Sequence, residues 1–454
     1  METPVLFEKF FRGQERSVKA KKNIAASFAF KGGSIIISFL LVPVTLNYLN
    51  PVRYGIWLTL SAIVSWLTFF DIGISNGLRN RFTEAKAKNN DDQVKTLVST
   101  SYVLICLIIL FLYSLFLIIH PFLNWIILLN APLRMQTEIS QLVFIVVTFF
   151  SIQFVFKLIS TILMADQRPA FNDLFTFLTN LISLAIIYSL TRISQTGSLL
   201  NVGVALSASP VLVLLIANLL LFNTYYKRYT PKLKYVKMEC VRDLISLGAK
   251  FFIIQISTVV LFTSSELMIT QLFGPLQVTS FNISYRYFSI IIMLFTIVLT
   301  PMWTGFGDAY FRQDTMWIKN IMRKIIKMWV VLVFITITMI ALSPIFFHYW
   351  IGDKIEVSII LCLLVGVFVL LNTGLMPFVY FMNGVGKISL QLYLSIFAIL
   401  FNIPCSLFLV KNIGMKLEGI VLGSILSLVP FAVLLPIQYR KILQNSNTLA
   451  IWNK

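Results

Sequence analysis

The sequence predicts an all-α polytopic membrane protein, with twelve transmembrane helices in two six-helix lobes and both termini cytoplasmic. Three observations predict it. The 454 residues are 58% hydrophobic, with a mean hydropathy of +0.86, more apolar surface than a soluble fold of this length hides. Only 12% of residues are charged, about half the soluble average. The apolar residues fall in long runs without strict alternation, which suits spanning helices and not barrel strands.

The twelve runs cover 24–49, 55–77, 96–120, 138–163, 171–191, 199–223, 243–272, 276–303, 324–347, 357–382, 388–410 and 418–437. The first follows a polar segment, 1–23, that does not read as a cleavable signal peptide. The second ends in "FDIG" (70–73) and turns basic at Arg79 and Arg81. Placing the N-terminus inside puts roughly four times as many Lys and Arg in inner as in outer connections. The net charge of +19 is therefore mostly topology, and no nucleic-acid partner is needed. The basic inner segments 78–95 and 224–242 also suit contact with anionic headgroups.

The chain repeats itself. "NPVRYGIW" (50–57) corresponds to "GPLQVTSF" (274–281), and "HPFLNWI" (120–126) to "SPIFFHYWI" (343–351). "MADQRP" (164–169) corresponds to "MNGVGK" (382–387), and "TGSLLNVGVALSAS" (196–209) to "IGMKLEGIVLGSIL" (413–426). Four pairs in order at one offset indicate parallel halves related by an axis along the membrane normal. The expected domains are a lobe 1–223, a basic linker 224–242, a lobe 243–437 and an inner tail 438–454.

The four cysteines and two histidines form no metal or disulfide pattern. His120 and His348, beside Trp125 and Trp350, read as an interfacial belt. Ionisable groups inside the runs are more telling, because charge at membrane depth is costly and normally faces a bundle interior or a wet cavity. They are Lys31, Asp71, Lys157, Lys250, Glu266 and Arg286. Arg286 lies ten residues into the eighth run, roughly 15 Å deep. Its planar fork suits bidentate phosphate contact, or an ion pair with Glu266. Lys31, Lys157 and Lys250 line a cavity or snorkel to the inner interface. Glu266 either couples an ion gradient to transport or neutralises Arg286. Asp71 is expected on the lobe interior, paired with a cation such as Lys31. Cationic interiors without a catalytic constellation point to moving an anion, with no enzymatic step and no cofactor.

The stretches "FDIGISNGLRNRFTEAKAKNND" (70–91), "KFFIIQISTVVLFTSSELMITQLFGPLQVTSFNISYRYFSI" (250–290) and "PMWTGFGDAYFRQDTMWIKN" (301–320) resemble bacterial polysaccharide flippases. These are O-antigen translocases of the Wzx type, in the multidrug/oligosaccharidyl-lipid/polysaccharide (MOP) superfamily. The resemblance implies a MOP/MATE-like V-shaped bundle with a cationic central cavity. It implies movement of undecaprenyl-pyrophosphate-linked oligosaccharide across the bacterial inner membrane by alternating access. Members often carry Asp where this chain has Glu266. Tyr285, Tyr287 and Trp303 are candidates for sugar or portal contacts, or for packing. The implied partners are the lipid-linked oligosaccharide, the bilayer, and H+ or Na+ as coupling ion. A MATE-type ion-coupled multidrug antiporter is the alternative, though its cavity wants more acids. A membrane glycosyltransferase wants a large outer loop with paired carboxylates, and the outer loops here are short.

Overall fold

A computed structural model describes residues 15–71, 74–166, 168–193, 197–241, 264–311 and 313–444. They are nearly all helical. Ten of their helices are long and apolar enough to cross a membrane. Many of the apolar side chains of these helices face outward. Leu107, Leu110, Phe111 and Ile118 on one helix are all exposed, so the surface is complete only in lipid.

The first unit comprises Met1–Asn50, Val64–Leu128 and Pro132–Phe252. Its helices are α1 (Glu15–Tyr48), the last turn of α2 (Pro51–Ser65), α3 (Ile74–Ala87), α4 (Asp91–Ile119), the short α5 (Trp125–Leu129), α6 (Gln136–Phe156), α7 (Leu158–Ala165), α8 (Pro169–Ile193) and α9 (Leu199–Asn223). Here α1 packs on α8, α9 on α6 and α8, and α3 on α4 and α7. The second unit comprises Pro51–Ile63, Leu129–Ala131 and Ile253–Lys454. It holds most of α2, the helical stretch 264–273, α10 (Pro275–Phe311), α11 (Thr315–Ile351), α12 (Ile359–Val385), α13 (Ser389–Lys411) and α14 (Leu417–Leu443). There α10 packs on α11 and α12, and α14 on α12 and α13.

Two sequence-expected spans need comment. Residues 243–263 lie outside the described residues. The expected second span is not one helix: α2 stops at Ser65, a 3-10 segment covers Trp66–Asp71, and α3 starts at Ile74. Thr68 Oγ1 donates to the Ser65 carbonyl at 2.6 Å. Asp71 then accepts from the Ser75 backbone N–H at 3.1 Å and from Ser75 Oγ at 2.9 Å, capping the next helix. Ile74, Leu78, Phe82 and Ala85 recur at helical spacing and are fully buried in one core with α4, α7 and α9. The basic "loop" after Asp71 is thus an amphipathic helix.

A second interruption falls at Lys157, between α6 and α7. A break at membrane depth leaves backbone groups to satisfy. Asn218 on α9 does this: its amide donates to the Phe156 carbonyl at 2.9 Å, and Tyr102 OH donates to its Oδ1 at 2.7 Å. Asn218→Leu should cost about 2 kcal/mol by stranding Tyr102 OH and the Phe156 carbonyl. Thermal unfolding in detergent checks it, and an unchanged midpoint would contradict the role.

The segment 224–241 is tied to α7 and the start of α4 within the first unit. Asp166 pairs with Lys86, with Arg168 Nε at 3.1 Å, and accepts from Tyr226 OH at 2.9 Å. Tyr229 OH donates to Asp91 Oδ1 at 2.6 Å. Partial burial and that hydrogen bond push the Tyr229 hydroxyl up to about 12. A raised pKa means the contact is complete below the ordinary value of about 10 and is lost as pH climbs towards 12. Proteolysis within the segment 224–241 should therefore accelerate over that alkaline window, and at neutral pH already in Tyr229→Phe.

One pair of the sequence motifs turns alike in the backbone. Asn50 has φ of 100° and Gly274 has φ of 87°, each immediately before a proline that starts a helix. Positive φ turns the chain sharply, and Pro at the first helical position is preset for the helix.

Candidate functional site

The second unit concentrates polar groups inside its apolar helices. Glu266 sits in the stretch 264–273; Asn282 and Arg286, four residues apart, share one face of α10. Asn282 Nδ2 donates to Glu266 Oε1 at 3.2 Å. Arg286 is half-buried and acts electrostatically on Glu266. Both also act on Tyr54 of α2, which is only 5% exposed. Thr270 Oγ1 donates to the Glu266 carbonyl at 2.9 Å and hydrogen-bonds Thr59 Oγ1 at 2.6 Å.

Local sequence brings α2 to this site. Gly55 lies against Pro275: a Cβ there would sit 1.8 Å from the Pro275 carbonyl oxygen. Thr279 Oγ1 donates to the Pro51 carbonyl at 2.7 Å. The two segments that touch are the repeat partners 50–57 and 274–281.

The aromatic candidates divide. Tyr285 stacks on Phe281 with centroids 6.1 Å apart and lies within electrostatic reach of Glu266. Tyr287 is buried, donates to the Met339 carbonyl at 3.2 Å and stacks on Phe346, which makes it a packing residue. Trp303 is exposed and meets Tyr380 edge-on at 5.5 Å.

In the first unit Lys31 pairs with Asp173 of α8 at 3.8 Å, and not with Asp71. The expected Asp71–Lys31 pair is corrected accordingly. Asp71 spends its oxygens on the Ser75 cap, and the basic charge acting on it is Lys157. Lys157 is exposed at the α6–α7 break. Lys250 lies outside the described residues. The sequence reading passed over Asp173, Asn282 and Tyr54. Asp173 was findable as an acid inside a span. Asn282 was findable from the polar stripe Thr279–Asn282–Arg286 on an apolar helix. Tyr54 gave no signal, because only its neighbours in space make it polar.

The sequence profile described as "Polysaccharide biosynthesis protein" matches residues 20–304. A "Putative O-antigen transporter" of Salmonella typhimurium is 21% identical over 274 residues, 59% of this chain and 61% of that one. A "Putative O-antigen export protein" of Yersinia pseudotuberculosis is 20% identical over 279 residues, 61% of this chain and 62% of that one. The chain thus spans about three-fifths of the length of these curated relatives. Among solved structures, an inward-facing multidrug resistance MATE family transporter of the MOP superfamily superposes with a TM-score of 0.77 at 13% identity, over 93% of this chain and 99% of that one. An outward-facing MATE transporter gives 0.66 at 16%, over 97% and 99%. The fold is therefore MATE-like, and the protein is a multi-pass protein of the bacterial inner membrane. With the profile covering well over half of its length, the chain belongs to the polysaccharide biosynthesis protein family.

Proposed function

We propose that this protein is a flippase that moves undecaprenyl-pyrophosphate-linked oligosaccharide, of the O-antigen kind, across the inner membrane by alternating access. The single observation that carries the reading is the charged group on α10: Arg286, held inside an apolar helix beside Glu266 and Asn282, in a chain of this family. The guanidinium takes the pyrophosphate, and Lys31, Lys157 and Lys250 are the further basic candidates for contact with the anion. Glu266 takes up and releases the coupling cation, H+ or Na+. The chain crosses twelve times with both termini cytoplasmic. Its lobes, 1–223 and 243–437, rock about the substrate, joined by the linker 224–242 and followed by the tail 438–454. The chemistry is transport, with no covalent step.

The fold likeness to multidrug transporters supports a second reading, ion-coupled export of cationic compounds. One experiment separates the two. Proteoliposomes are loaded with a fluorescent undecaprenyl-pyrophosphate oligosaccharide or a cationic dye, with and without an ion gradient. Movement of the lipid upholds the flippase; dye export without lipid movement replaces it. Glu266→Gln should abolish the gradient-driven component while leaving downhill movement, and full uphill activity in that variant would remove Glu266 from coupling.

A further inference from the structure

At one end of the second unit six segments line an open cleft of about 880 Å³. Its floor is the start of α10, with Gln277 and Ser280; its walls are the end of α11, the segment 352–358 and the start of α14. Ser280 Oγ donates to the Glu356 carbonyl at 3.4 Å, tying that segment to α10. The volume lies within the range of small-ligand sites, roughly 300–1,000 Å³.

The lining has a definite chemistry. Phe273 and Phe347 supply apolar surface. Glu356 and Glu418 supply two carboxylates, against the ammonium of Lys416 and the imidazole of His348. That balance opposes a phosphate or pyrophosphate, which a net cationic site would attract. Sugar hydroxyls donate and accept at once. They match carboxylates that accept, an amide that does both and an ammonium that donates, and charge-assisted bonds of this kind are strong. The apolar C–H face of a pyranose suits the partly exposed ring of Phe273.

We propose that this cleft is a glycan site, binding uncharged sugar residues separately from the pyrophosphate. The assignment deepens the flippase reading and rests on it for its role. In the proposed topology this end faces the outside, so the site would hold the glycan after it has crossed.

The test is saturation-transfer NMR on the full chain in detergent. The probes are methyl glycosides of glucose, galactose, mannose, rhamnose, N-acetylglucosamine and N-acetylgalactosamine, with inorganic pyrophosphate as the anion control. At least one glycoside should receive saturation. Its dissociation constant should rise about tenfold or more in Glu356→Gln/Glu418→Gln. Pyrophosphate binding should not respond to that pair. No transfer to any glycoside, or transfer unchanged in the double variant, would overturn the site. If the double variant unfolds, Gln277→Leu gives the same reading. Because the probes are soluble monosaccharides, this result is independent of lipid movement. Sugar binding with no lipid movement would sink the flippase and keep the site, and the reverse would do the opposite.

Discussion

Arg286→Ala should slow transbilayer movement of the pyrophosphate-linked lipid by about 100-fold, from loss of hydrogen bonds to a charged partner worth roughly 1.5–3 kcal/mol each. Arg286→Lys should retain part of the activity, because it keeps the charge and loses the fork. The alanine variant also leaves Glu266 with Asn282 but without the guanidinium's field. A stability loss is expected from that, since removing one member of a charged set is costly. Protein stability and transport must therefore be read separately. The double variant Arg286→Met/Glu266→Gln decides between the roles. If Arg286 served only to neutralise Glu266, the double variant would regain both stability and downhill movement. If Arg286 holds the pyrophosphate, stability recovers and movement does not.

Gly55→Val should destabilise the protein by about 3 kcal/mol or more and lower its yield in membranes. The new Cβ would stand 1.8 Å from the Pro275 carbonyl oxygen, 2.5 Å from its carbon and 2.9 Å from Thr279 Oγ1. Two of these are backbone atoms and have no rotamer to yield. Separating α2 from α10 would also break the Thr279–Pro51 hydrogen bond. The matched control is Gly32→Ala on α1, where nothing lies within 4 Å of the added carbon. That change should be neutral or slightly stabilising, through helix propensity alone. Comparable losses in both variants, measured by thermal unfolding in detergent, would refute the packing argument.

The membrane class and most spans were legible without coordinates, because hydropathy and run length act locally. The repeat motifs even foretold turns: Asn50–Pro51 and Gly274–Pro275 carry the same punctuation and the same positive φ. The misreading of 55–95 has a local cause. Its apolar residues and its Arg and Lys were weighed as span and loop. The three- and four-residue recurrence of Ile74, Leu78, Phe82 and Ala85, which makes α3, was present in the same letters. Asp71 was taken as a charge seeking a cation, whereas an acid beside a helix start is worth more as a cap.

What the sequence determined by itself was the solvent and the inventory: lipid around the chain, and a small set of ionisable groups that lipid makes expensive. Which of those groups meet was decided only by tertiary structure. Lys31 finds Asp173, and Tyr54 joins Glu266 and Arg286 from more than 200 residues away. Side-chain partners across helices depend on rotation and close approach. Those depend on glycines such as Gly55, whose missing side chain acquires meaning only when another backbone lies against it.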